Sequence, residues 1–211
     1  AFRVSRDRIF PVGLPVLDFY FDDELKKAAK ENFYRKFKGL ENKKILLYTP
    51  TFRKSMAENE AVLKAFSVSE LKEELGEEWA ILIRLHPTIS DSGIIKNLGE
   101  DVYDVSFYED VKELYEVSDV LVNDYSSTAV EYALLRKPIV CFVPDFDKYD
   151  RGFYRDYEEN AVGEIVKDFS GLLSAIRQGK SDDAKLDGFL KLHYDYFDSN
   201  NRGRILDILY R

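Results

Sequence analysis

The sequence predicts an α/β domain built on a doubly wound parallel sheet, and three features carry that expectation. Short apolar, β-branched runs alternate with segments of helical spacing: Lys44–Thr49, Trp79–Leu85, Val102–Val105, Val120–Val122 and Ile139–Val143 are the runs. The stretches between them are long enough for the helical crossovers that parallel pairing requires. The polar segments lie where such runs end, at Thr49–Arg53, His86-Pro87, Ser106–Tyr108, Asp124–Thr128 and Val143–Asp147. In open α/β sheets that rim, outside the carboxyl ends of the strands, is where ligands bind.

The elements follow in order. Ile9–Val12 reads as a strand in need of neighbours, so the chain, which runs into it directly from Ala1, is expected to begin mid-protein. Asp22–Lys38 carries Leu25, Ala28, Ala29, Phe33 and Phe37 at helical spacing, with acids at its start and Gly39 at its end. Pro50 stops the first buried run, and Thr51–Asn59 reads as a polar loop. Helices are expected at Val68–Leu75, Asp110–Val117 and Ala129–Arg136. After Gly163 come a short strand at Glu164–Val166 and helices near Phe169–Gln178, Ala184–Phe197 and Arg202–Tyr210. Residues 1–211 suffice for one domain, with little left for a second.

Composition narrows the function. Net charge is −8, from 31 basic and 39 acidic residues, and the basic ones are scattered, so nucleic acid is not an expected partner. The lone Cys141 sits in an apolar run, which excludes an intrachain disulfide or a cysteine-built metal site and fits a reducing, cytosolic setting. No apolar run reaches the length that spans a bilayer. No Gly-rich phosphate loop, GxGxxG, HExxH or CxxC occurs, and no GxSxG elbow surrounds Ser126.

The stretch Asp119–Phe142, DVLVNDYSSTAVEYALLRKPIVCF, is the most informative. It reads as strand, Ser-Ser turn, helix and strand, an arrangement that cradles phosphate. The first N–H groups of a helix lack internal partners and carry the positive end of its dipole. Ser126, Ser127 and Thr128 can therefore present backbone and hydroxyl donors to an anion such as a nucleotide pyrophosphate, although the same residues serve as ordinary helix caps. Glu131 lies one turn beyond Ser127, where a carboxylate can accept from ribose hydroxyls or simply interact with the dipole. His86 ends a strand before Pro87 and points to the rim, as a phosphate donor or as a structural histidine. His193, among Tyr194, Tyr196 and Phe197, reads as packing. Arg53 can pair with phosphate or remain solvated. In Asp145–Glu159, Arg151 and Arg155 can close over an anion, or the segment is a surface loop folded on its own aromatics.

Four motifs in fixed order go further. LYTPTFR (Leu47–Arg53), IRLHP (Ile83–Pro87), SDVLVNDYSSTAVEYALLRKPIVCF (Ser118–Phe142) and RGFYRDYEE (Arg151–Glu159), preceded by GLPVLD (Gly13–Asp18), resemble the C-terminal domain of CDP-glycerol glycerophosphotransferases, the teichoic-acid primases and polymerases. The resemblance implies that the chain is the Rossmann-like C-terminal half of a glycosyltransferase-B architecture and holds a CDP-glycerol or related CDP-polyol donor. Carried over by position, His86 and Ser126-Ser127 would contact the pyrophosphate, with Arg53 or Arg151 assisting, and Glu131 would take the ribose. Thr51, Asp124 and Thr128 complete the expected donor-binding set, and the base would sit near Ser106–Tyr108. The implied reaction is attack of an acceptor hydroxyl on the β-phosphorus with release of CMP, with no obligatory metal or other cofactor. A lipid-linked or polymer acceptor, and a histidine acting as base, would come with the N-terminal half, placing the complete protein in the cytoplasm and peripherally on the inner membrane face. The competing readings are a nucleotide-sugar glycosyltransferase or epimerase, and a nucleotide-binding module without catalysis.

Overall fold

The computed structural model describes residues 4–95, 98–149, 152–153 and 155–210. Six strands pair in parallel throughout, β1 (Lys44–Thr49), β2 (Trp79–Ile83), β3 (Val102–Asp104), β4 (Val120–Asn123), β5 (Ile139–Phe142) and β6 (Glu164–Val166), in the spatial order β3-β2-β1-β4-β5-β6. The sheet is wound outward from its centre in both directions, so the order reverses between β1 and β4.

Helices cover both faces, and the two-residue period of the strands sorts the core between them. On one side Ile45, Leu47, Ala80, Leu82, Leu121, Ile139 and Cys141 pack with residues of α1 (Asp23–Lys36), α5 (Val111–Val117), α6 (Thr128–Tyr132) and α9 (Asp183–His193). On the other, Leu46, Tyr48, Ile81, Ile83, Val120, Val122, Val140 and Phe142 meet α2 (Met56–Phe66), α3 (Val68–Leu75) and α8 (Phe169–Gln178). The short α4 (Pro87–Ser90) and α7 (Tyr157–Asn160) lie in loops at the rim, and α10 (Asn201–Leu209) closes the described chain. Gly163 lets the chain approach β5 closely: a Cβ there would lie 2.2 Å from the Ile139 carbonyl oxygen. No helix among the described residues is long and apolar enough to cross a membrane.

Several expected boundaries move. Ile9–Val12 joins no sheet; it is a connection between two 3₁₀ turns, Arg6–Arg8 and Pro15–Phe21, with Ile9 and Phe10 exposed. The polar loop after β1 ends earlier than expected, because Ser55 and Glu58 form a reciprocal capping box that starts α2 at Met56. The helix expected at Ala129–Arg136 is α-helical only to Tyr132, then tightens to a 3₁₀ turn at Ala133–Leu135 and stops at Arg136 with φ 56°. Pro138 follows two residues later and starts the return to the sheet. The helix expected to run to Phe197 ends at His193.

Asp18, 2% exposed, fastens the leading segment to the last helix. It accepts from the Asn201 backbone N–H (2.9 Å) and Nδ2 (2.7 Å), and from the Arg202 N–H and Nε at 3.1 Å each. Burial pushes this carboxyl up, but the bonds from Asn201 and Arg202 outweigh it and hold the pKa below its usual value. The contribution is therefore full above the unfolded-state pKa and is lost as pH falls through the lower folded value. Asp18→Ala is expected to cost about 2–3 kcal/mol in urea unfolding at pH 7, the penalty of stranding buried donors, and less at pH 3. A loss below about 0.5 kcal/mol at pH 7 would mean that the contact carries no stability.

Candidate functional site

The parallel register places the ends of β1, β2 and β4 side by side at the point where the strand order reverses. Thr49 is opposite Asn123, Tyr48 is opposite Ile83, and the Arg84 N–H donates to the Tyr48 carbonyl at 2.9 Å. Loops 50–55, 84–86 and 124–128 thus share one rim.

Beneath that rim lies a polar frame centred on Asp124, 3% exposed. Its carboxylate accepts from the Thr51 N–H (2.9 and 3.0 Å), Thr51 Oγ1 (2.6 Å), the Tyr125 N–H (2.6 Å) and Arg53 Nη1 (2.9 Å). Arg53 also forks onto Asp145, Nε to Oδ2 at 2.6 Å and Nη2 to Oδ1 at 3.1 Å, and its Nη1 donates to the Thr51 carbonyl. Burial opposes this guanidinium's charge, yet Asp145 and Asp124 more than offset it and raise its pKa. The guanidinium also lies over the rings of Tyr125 and Tyr149, 5.1 and 5.3 Å from their centroids. Those rings stack on each other at 3.7 Å and join Phe146, Phe153 and Tyr157 in one aromatic cluster. Thr51, Arg53 and Asp124 therefore come together, but their polar groups face one another.

The serine turn sits on that frame. Asn123 Nδ2 donates to the Ser126 carbonyl at 3.0 Å, while Asn123 Oδ1 accepts from Thr49 Oγ1 at 3.2 Å. Ser126 Oγ and Thr128 Oγ1 lie 2.8 Å apart, and Ser126 Oγ also receives the Thr128 N–H at 3.3 Å. Ser127 is exposed at the N-cap of α6 and makes no capping bond with its side chain. Glu131 is half-buried and accepts from the Tyr20 hydroxyl at 3.0 Å.

His86 is exposed at the rim, its ring tilted 34° against Phe52 with centroids 4.4 Å apart. Its Nδ1 accepts from the Thr88 N–H at 3.1 Å, so in this tautomer the ring proton is on Nε2, which remains a donor. Arg151 lies outside the described residues. Arg155 is exposed. His193 is exposed at the end of α9 and packs on Phe189, with ring centroids 4.2 Å apart and its Nδ1 2.8 Å from the Phe189 carbonyl, and it borders a cavity of about 350 Å³ shared with Ser126, Ser127 and Arg155.

Two residues of the rim, Arg84 and Asn123, were given no role from the sequence. Arg84 is half-buried, with Nη1 donating to the carbonyls of Val105 (3.1 Å) and Tyr108 (2.7 Å), and no carboxylate lies within ion-pair distance among the described residues. Burial lowers its pKa, against the opposing fields of Tyr115 and Asp110. It stands inside IRLHP, two positions before the histidine, and an arginine closing an otherwise apolar strand was the available signal. Asn123, a polar residue ending the buried run VLVN, gave a similar signal. Phe107, within the segment Ser106–Tyr108 expected for the base, stands 69% exposed.

A doubly wound parallel sheet with an Arg-, His- and Ser-bearing rim at its switch point defines a nucleotide-binding α/β domain. The comparisons with known proteins narrow that class. This chain belongs to the CDP-glycerol:poly(glycerophosphate) glycerophosphotransferase family, whose model matches residues 1–211. It is 33% identical over 98% of its length to the teichoic acid poly(ribitol-phosphate) polymerase of Bacillus spizizenii, covering 34% of that protein. It is 37% identical over 97% of its length to the teichoic acid poly(glycerol phosphate) polymerase of Bacillus subtilis, covering 28% of that protein. The structure of the wall teichoic acid polymerase TagF in its H444N form with CDPG matches all of the chain at a TM-score of 0.82 and 30% identity, and the chain covers 53% of it. The chain thus spans about a third of those curated relatives and about half of the solved one. Its fold is the TagF-like one expected from the sequence, a Rossmann-like half of the glycosyltransferase-B type.

Proposed function

We propose that residues 1–211 form the donor-binding lobe of a CDP-polyol phosphotransferase, which moves glycerol phosphate or a related polyol phosphate from its CDP carrier to an acceptor hydroxyl in teichoic-acid-like polymer synthesis. One observation carries this reading. At the rim the exposed Ser127 follows β4, while the Nε2 donor of His86 and the half-buried Arg84 both follow β2, with β1 between the two strands and no acidic partner for that arginine among the described residues. Donors from the two strands that flank β1 suit a diphosphate better than a single anion. Family membership supports the CDP-linked donor.

In this reading the acceptor oxygen forms a bond to the glycerol-bearing phosphorus. The bridging P–O bond breaks, its electron pair leaves with CMP, and the acceptor's proton passes to a base in the other lobe. The rim described here holds the donor in line and matches the charge growing on the CMP phosphate. Glu131 accepts from the ribose, and the base lies along Ser106–Tyr108 with Phe107 as the exposed ring beside it. Thr51, Arg53 and Asp124 act as the frame that sets the loops, because their own donors and acceptors are engaged within the protein. The complete protein works on the cytoplasmic side, peripheral to the membrane, on a lipid-linked or polymeric acceptor brought by its other lobe.

Calorimetric titration of this chain with CDP-glycerol, CMP and UDP-N-acetylglucosamine tests the reading. CDP-glycerol is expected to bind tightest, with a loss of about tenfold in Arg84→Met and in the Ser126→Ala/Ser127→Ala double variant. Preference for the UDP-sugar would select the glycosyltransferase or epimerase reading instead.

A further inference from the structure

Glu131 is held from far along the chain. The Tyr20 hydroxyl, 111 positions away in the 3₁₀ turn Pro15–Phe21, donates to its Oε2 at 3.0 Å. Tyr20 is 5% exposed, so this bond forms away from competing water. Two more phenols surround the carboxylate. Burial first, and then the charge of Glu131, raises the pKa of both Tyr115 and Tyr194. Tyr194 nevertheless turns its hydroxyl to the Val130 carbonyl at 2.9 Å. Among the described residues, Tyr20 is the hydrogen-bond donor that anchors the Glu131 side chain from outside its own helix.

A donor fixed on one carboxylate oxygen restricts the final torsion of the glutamate, which is otherwise broad, and leaves the second oxygen to accept. We propose that Tyr20 is a positioning residue that aims Glu131 at the ribose 2′-hydroxyl and so gives the site its preference for ribonucleotides over 2′-deoxyribonucleotides. The proposal rests on the reading of Glu131 as the ribose acceptor. It assigns a role in the nucleotide site to the segment that leads into the domain, which Asp18 independently bolts to Asn201 and Arg202.

The test compares CDP with 2′-deoxy-CDP by calorimetry on the unsubstituted chain, Tyr20→Phe, Glu131→Gln and the double variant. The unsubstituted chain is expected to favour CDP by about tenfold, the size of one hydrogen bond to a charged group. Tyr20→Phe should lose most of that preference through weaker CDP binding alone, with 2′-deoxy-CDP unchanged. The double variant should match Glu131→Gln. Full preference retained in Tyr20→Phe while Glu131→Gln has none would overturn the role of Tyr20, and so would equal weakening of both nucleotides, the mark of a general structural effect. Preference surviving in Glu131→Gln would instead remove the ribose reading on which the proposal stands. Should Tyr20→Phe fold poorly, the unsubstituted chain labelled with ¹³Cζ-tyrosine serves. The Tyr20 resonance is expected to move with CDP and much less with 2′-deoxy-CDP, and equal movements would overturn the proposal.

Discussion

Replacing His86 by alanine is expected to slow polyol-phosphate transfer by the complete enzyme about a hundredfold to a thousandfold, the usual effect of deleting one donor aimed at developing charge. The geometry behind the expectation is specific. The Thr88 N–H occupies Nδ1, which leaves the ring proton on Nε2, and the tilted contact with Phe52 sets the plane in which that proton points. In the proposed reaction charge on the bridging oxygen grows as the P–O bond breaks, so a donor placed at Nε2 would act more on the transition state than on the bound donor substrate. The loss should therefore fall mainly in kcat, with KM for CDP-glycerol changed only a few-fold. His86→Gln, whose amide nitrogen can occupy a position close to Nε2, should recover part of the activity, whereas His86→Asn should not. Equal activity of all three variants with the natural enzyme would remove His86 from the chemistry. A thermal melt of each variant separates this from unfolding, and little change is expected because the imidazole is exposed.

The second large effect concerns stability. Arg53→Leu is expected to destabilise the chain by about 3–5 kcal/mol in urea unfolding, because Asp124, whose side chain is 1% exposed, would lose its buried guanidinium partner. Asp145, whose side chain is 23% exposed, retains access to water, so Asp145→Asn should cost much less. The two substitutions share the guanidinium and should combine less than additively. A cost below about 1 kcal/mol for Arg53→Leu would show that water or a rearranged loop replaces the guanidinium without penalty.

How far the sequence could be read follows from which forces act locally. The four inner strand runs were legible because the parallel sheet buries both of their faces and so leaves nearly unbroken apolar stretches, whereas the edge strands β3 and β6, with one buried residue each, were legible only as short β-branched runs between turns. Placing the polar segments on one rim required only the parallel order. The Ser-Ser turn was legible for the same reason, since strand, short polar residues and helix are contiguous. Pairings across the fold were not. Arg53 meets Asp145 across 92 positions and Asp124 across 71, and nothing in the local pattern distinguishes such an arginine from one that meets a phosphate. Arg84 presents the converse: its Nη1 donates to the Val105 and Tyr108 carbonyls and no carboxylate among the described residues lies within ion-pair distance, which only the folded chain reveals. Ile9–Val12 has strand composition but reaches neither edge of the sheet, and the chain there is held instead by α10 and its neighbours, as in the bond from Arg204 Nε to the Val12 carbonyl at 3.2 Å.

Asp124 receives main-chain N–H groups from both sides of the switch point, those of Thr51 and Tyr125, together with the Arg53 guanidinium. The loops after β1 and β4 are thereby ordered at the time of folding. Fixing a free backbone residue costs roughly 1–2 kcal/mol in conformational entropy, so a nucleotide that had to organise these loops would lose much of its contact energy to that ordering. Here the entropy has been surrendered during folding, and association is expected to carry the heat-capacity change of the buried ligand surface without the larger one that marks coupled folding.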